Sequence, residues 1–162
     1  MPCRTHHLPQ SLLLALGVSM CLVPAARADG HRIADAAPAP PAYRQECAAC
    51  HMAYPAGLLP AASWQRLMNN LPRHFGTDAS LDFATMQALS AWLEANAGTY
   101  KRVREPPPED RITRSAWFIR KHDEVSTATW KLLAVKSAAN CSACHTQSEQ
   151  GDFNERKIRI PR

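Results

Sequence analysis

Two short runs share one chemistry-bearing pattern: Cys47-Ala48-Ala49-Cys50-His51 and Cys141-Ser142-Ala143-Cys144-His145. C-x-x-C-H is the signature of covalent haem attachment. Two thiols three positions apart can each add across a vinyl group on one porphyrin edge. The following histidine then lies under the iron as proximal ligand. Other readings of the cysteines explain less. Disulfides are usual in exported chains, but they leave the histidine after each pair without a purpose. A zinc site wants its C-x-x-C pairs about 15–20 residues apart, not about 90 as here. A thioredoxin-like redox pair needs no following histidine, and no βαβ pattern surrounds either motif.

The sixth position of each iron decides between electron carriage and small-molecule binding. Beyond the two motifs and the first 28 residues, the remaining histidines are His31, His74 and His122. The remaining methionines are Met52, Met68 and Met86. Met52 adjoins His51, which keeps it from the opposite face of that haem. Met68 and Met86 repeat with apolar neighbours at helical spacing and read as core. His74 lies between Pro72 and Phe75-Gly76, where a helix ends and a loop opens, 23 residues after His51. His122 lies 23 residues before His145, beside Trp117, Phe118 and Ile119, which can pack on a macrocycle. His31 sits in a Pro/Ala-rich tail and reads as solvated. The expected axial pairs are His51 with His74 and His145 with His122, with a crossed arrangement open.

The elements that must hold these residues follow from composition and pattern. The chain has 162 residues, 46% hydrophobic and 20% charged, with 13 Pro and 6 Gly. This is globular composition with Pro-rich joints. The charge of +5 comes without a run of five like charges, so nothing supports nucleic-acid binding. Arg4, the apolar run Ser11 to Ala25 and Ala26-Arg27-Ala28 read as a signal peptide over residues 1–28, cut after Ala28. The run is short for a membrane anchor, and Met20 is too large before Cys21 for a lipid anchor. Removing the segment takes two arginines and no acid, leaving a charge of +3 and four cysteines, all in the motifs. No other run has spanning length, so the expected product is exported and not inserted in a membrane.

Residues 29–42 form a Pro/Ala-rich lead-in. The first haem domain is expected over 43–104. Its helices are a segment capped by Ser63 through about Leu71, and another from Ser80 or Asp82 to Asn96. The second would turn Leu81, Ala88, Leu89, Trp92 and Leu93 inward, with Gly98 as a stop. Glu105-Pro106-Pro107-Pro108-Glu109 removes three amide donors and reads as an extended linker over 105–109. A structured loop within one domain is the competing reading. The second haem domain is expected over 110–162, with helices near 114–122 and 126–135 and a short C-terminal strap at 158–162. With so few residues per haem, the porphyrins must supply much of the core and keep some edges exposed.

These blocks together resemble the small bacterial dihaem cytochromes c. The resemblance rests on Glu46 to His51, Tyr54 to Trp64, His74 to Leu81, Arg111 to Ser115, Arg120-Lys121-His122, Asn140 to His145 and Ile158 to Arg162. It implies a mainly α fold: a cytochrome c-like N-terminal haem domain plus a smaller, less regular C-terminal one. It implies two covalently bound haem c groups on Cys47, Cys50, Cys141 and Cys144, both low-spin. His51 and His145 would be proximal, and His74 and His122 distal. It also implies periplasmic electron transfer, with a small high-spin monohaem cytochrome c as acceptor and a membrane cytochrome b as donor. Bis-His ligation, lacking Met, should give low potentials for c-type haems. Arg102, Arg104, Arg111, Arg114, Arg120 and Lys121 would offset propionates or steer an acidic partner, or form a solvated surface. The rival class is a dihaem peroxidase or small-molecule reductase with one open haem. No Arg-His or Glu constellation marks a catalytic pocket for it. A gas or redox sensor would need an output domain.

Overall fold

The computed structural model describes residues 38–162. The signal-peptide reading, His31 and most of the lead-in lie outside these residues. The described chain is mainly α, with short 3-10 turns and, among the described residues, no strand beyond isolated bridges. None of its helices is long and apolar enough to cross a membrane.

Three helices build the first half: α1 (Pro41–Cys47), α2 (Ala61–Met68) and α3 (Phe83–Ala95). Pro41 opens α1, where a missing amide costs nothing. The helix therefore begins inside the stretch expected as lead-in. Asp82 caps α3 by accepting a hydrogen bond from the Thr85 amide at 3.0 Å. One cluster joins all three helices: Tyr43, Leu59, Trp64, Met68, Leu71, Leu89 and Leu93. Trp64 donates from Nε1 to the Ala56 carbonyl at 2.7 Å, which satisfies its one polar atom inside this cluster.

Several local expectations are corrected. Ser63 does not cap α2. Pro60 stands at that position in extended conformation, and Ser63 is fully buried within the helix. The helix stops at Met68 rather than Leu71, because Pro72 forces a 3-10 turn over Leu71–Arg73. Ala88 is exposed, while Leu89 and Leu93 are buried as expected. Pro107 is extended, but the chain then turns at Pro108–Asp110 and ties back to α2. Arg66 grips Asp110 through Nη2 to Oδ1 at 2.6 Å and Nε to Oδ2 at 2.8 Å.

The second half has only α4 (Ala116–Lys121) and α5 (Thr127–Trp130), capped by Ser115 and Ser126. The helix expected over 126–135 ends at Trp130. Leu133, beyond that end, is left uncovered by the protein's own side chains, 89% exposed. Few side chains here are buried: Phe118, Val135, Ser115 and Ser148 among them. A unit this small does not complete a core from its own side chains.

Candidate functional site

α1 delivers the first motif. Cys47 is its last residue, so Cys50 and His51 lie on the turn beyond it. The His51 Nδ1 is 2.7 Å from the Met52 carbonyl oxygen. A carbonyl only accepts, so Nδ1 carries the hydrogen and Nε2 keeps its lone pair for a metal. His74 closes the Leu71–Arg73 turn, and the chain reverses through Phe75 (φ 51°) and Gly76 (φ 95°). That reversal returns Thr77 to bond the His74 carbonyl at 3.0 Å. The His51 and His74 ring centres stand 6.2 Å apart with planes at 30°. Tyr54 stacks on His51 at 4.8 Å, and Phe75 meets His74 edge-on at 4.8 Å. Arg111 lies over the Phe75 ring at 4.1 Å. Burial, then the His51 and Arg111 charges, push the His74 pKa down, towards the neutral ring that ligates metals.

The second motif occupies a 3-10 turn, Cys141–Ala143, whose next residues are Cys144 and His145. The C-terminal segment crosses beside it. Ile158 forms a bridge with His145, and the Arg159 amide donates to the Cys144 carbonyl at 2.9 Å. His122 caps the end of α4, with Nδ1 2.9 Å from the Phe118 carbonyl oxygen. The Phe118 ring stacks on it at 4.0 Å. The His122 and His145 ring centres stand 6.1 Å apart, with planes at 74°. Burial and the His122 charge push the His145 pKa down.

These spacings test the fit of an iron. An imidazole nitrogen lies about 1 Å from its ring centre and about 2 Å from a bound metal, so two rings sharing one iron have centres about 6 Å apart. Both pairs meet that distance. Among the described residues no group of three or more His, Cys, Asp or Glu gathers as a metal cage. Each centre thus presents two imidazoles at the spacing of one iron and a free cysteine pair that does not close on them, an arrangement that fits a porphyrin iron and not a four-ligand zinc cage. Burial pushes the Cys47 and Cys141 thiols up to about 11, aided by Glu46 at the first and Cys144 at the second. In each pair one imidazole has its Nδ1 anchored, while the Nδ1 of His74 and of His145 is buried without a protein partner.

Met68 lies in the core, and Met86 packs against it. Met52 instead touches the other motif: the Ser142 hydroxyl points at its Sδ at 3.7 Å. Tyr54 makes a second link, donating to the Ala139 carbonyl at 2.7 Å. The sequence reading sets Phe118 beside His122 for packing on a macrocycle, but the contacts of Tyr54 with His51 and of Phe75 with His74 escape it, although Phe75 directly follows His74.

Two C-x-x-C-H turns on a small helical scaffold, each with a second imidazole at the spacing of one iron, are the features of a two-haem c-type cytochrome. The chain belongs to the dihaem cytochrome c family, whose profile matches residues 43–153. It carries two covalently bound c-type haems and is an electron-transfer haem protein. A crystal structure of DHC from Rhodobacter sphaeroides is 49% identical, covers 72% of this chain and 98% of its own, and has a TM-score of 0.61. A dihaem cytochrome c from the same organism is 48% identical over 70% of this chain and 96% of its own, at TM-score 0.63. The dihaem cytochrome c of Shewanella baltica is 39% identical over 75% and 92%, at 0.66. No curated protein sequence matches the chain.

Proposed function

We propose that this chain is an exported electron carrier with two six-coordinate haems. One would be held by Cys47 and Cys50 with His51 and His74 as axial ligands. The other would be held by Cys141 and Cys144 with His145 and His122. The observation that carries this reading is the spacing of the two ring pairs, 6.2 and 6.1 Å, each right for one iron. Each haem, when bound, supplies an iron that alternates between ferric and ferrous. The protein's part is to fix the ligands. The Met52 and Phe118 carbonyls set the tautomers of His51 and His122, and Phe118 and Tyr54 hold ring planes by stacking. With imidazole on both sides of each metal, no position remains for a substrate, which favours carriage over peroxidase or reductase chemistry.

The resemblance supports a small high-spin monohaem cytochrome c as acceptor and a membrane cytochrome b as donor. The signal-like residues 1–28 support a periplasmic location. The Pro-rich stretch 105–109 is taken as the joint between the two haem units. Electron paramagnetic resonance of the ferric protein tests the reading. The protein as isolated should show two low-spin signals, and His74→Ala and His122→Ala should each convert one haem to high spin. Two low-spin haems persisting in either variant would overturn the ligand assignment.

A further inference from the structure

Tyr54 touches both haem-attachment segments at once. Its backbone belongs to the first half: the Tyr43 hydroxyl donates to the Tyr54 carbonyl at 2.6 Å, and Tyr43 itself is buried in the core. Its ring lies on His51, planes 27° apart. Its hydroxyl reaches across 85 residues of sequence to the Ala139 carbonyl oxygen. That same oxygen accepts the Cys141 amide at 3.1 Å. The phenol is therefore one hydrogen bond removed from the first cysteine of the second motif. Burial, with Cys141 adding to it, pushes the Tyr54 hydroxyl up to about 12, so it remains a donor through the physiological range.

The landing point is itself held. Asn140 donates from Nδ2 to the Val135 carbonyl at 3.1 Å, and Val135 is buried. Ser142 lies 3.0 Å from the buried Ser148 hydroxyl and also faces Met52 Sδ. Tyr54 and Met52 thus bracket the segment 139–142 from the first half, and the second half braces it from behind.

We propose that Tyr54 is a positioning residue that fixes the register of the two haem-attachment segments, and with it the gap an electron crosses between the haems. This rests on the two-haem reading above. Tunnelling weakens steeply with separation, so a tie at the junction of the attachment turns governs the internal step directly. The ring and the hydroxyl divide the work: the ring orients the first proximal imidazole, and the hydroxyl holds the second segment.

Two substitutions in the fully matured two-haem protein separate these parts. Tyr54→Phe keeps the stacked ring and loses only the tie. Both low-spin signals should keep their wild-type g-values. Amide exchange over residues 139–145 should accelerate about three- to tenfold, the loss expected for one net hydrogen bond. Electron equilibration between the haems after photoreduction should slow. Tyr54→Leu should do the same and also shift the g-values of the first haem alone, which Phe rescues. Unchanged equilibration in Tyr54→Phe overturns the proposal, as does exchange that is unchanged or accelerates evenly over the whole chain. A wild-type protein without two low-spin signals would instead show that the two-haem reading itself has failed, before any variant is compared.

Discussion

The ring planes of His51 and His74 lie 30° apart, whereas those of His122 and His145 are turned to 74°. The cause lies in the anchors. Tyr54 lies nearly flat on His51, while Phe118 holds His122 by both its stacked ring and its carbonyl, at the end of α4. His145, set by its own turn and the crossing Ile158 segment, meets it almost edge-on. Near-parallel axial rings split the iron orbitals strongly, and near-perpendicular rings leave them close in energy. The ferric spectrum should therefore contain one ordinary rhombic low-spin signal and one highly anisotropic low-spin signal. His74→Ala should remove the first and His122→Ala the second. Two identical rhombic signals would contradict the ring geometry.

The Arg66–Asp110 pair ties the Pro-rich stretch to α2, and its worth depends on pH. The Arg66 hydrogen bonds hold the Asp110 carboxyl below the usual carboxylate range. A depressed folded pKa gives stability that is present above the unfolded value and lost as pH falls through the folded one. Asp110→Asn keeps a residue that tolerates the positive φ of 54° found here but removes the charge. At pH 7 it should cost about 1 kcal/mol, the upper range for a solvent-screened pair with two-point geometry. Thermal melts of both proteins should converge as pH falls below about 4. A gap that persists at acid pH would show that the pair's charge is not the source.

Gly98 tests the packing of the first half. Sequence marks it as a helix stop, but α3 has already ended at Ala95, where Asn96 donates from Nδ2 to the Trp92 carbonyl. Gly98 is small for another reason. Its amide bonds the Leu59 carbonyl at 2.8 Å, and a Cβ there would stand 2.4 Å from the Gly57 carbonyl oxygen and 2.6 Å from Val103 Cγ1. Gly98→Ala should destabilise the protein by about 1–3 kcal/mol in urea titration, as overpacking does. Wild-type stability in that variant would mean the backbone yields freely.

What is legible in the sequence follows from how local the cause is. C-x-x-C-H needs five adjacent residues, and a second axial ligand is restricted to a few residue types, so His74 and His122 stand out among few candidates. Asp82 sits next to the helix it starts and is readable there, while the helix expected from about 114 begins only after its cap, Ser115. The helix started by Ser126 is read too long because spacing alone does not show where the turn after Trp130 begins. Tyr54 and Ala139, like Arg66 and Asp110, meet only through the folded chain. No local pattern announces such a contact. The ring angles are further removed, since they come from the stacking partners rather than from the ligands.

Arg111 places a positive charge beside the first centre, above the ring of the residue that follows His74. A cation there disfavours the ferric state, because removing an electron adds positive charge to the site. At about 10 Å and an effective dielectric of about 40, one unit charge contributes about 1 kcal/mol, or roughly 40 mV for a one-electron couple. Glu109, 3.2 Å from Arg111 and also paired with Arg114, offsets part of this. Arg111→Gln should lower the potential of the first haem by a few tens of millivolts, and Glu109→Gln should raise it by less. The second haem should move little in either variant. Potentiometric titration of the His122→Ala protein, whose second haem is spectrally distinct, separates the two couples. Shifts of the same sign in both variants would show that the residues act by packing on Phe75, and not through charge.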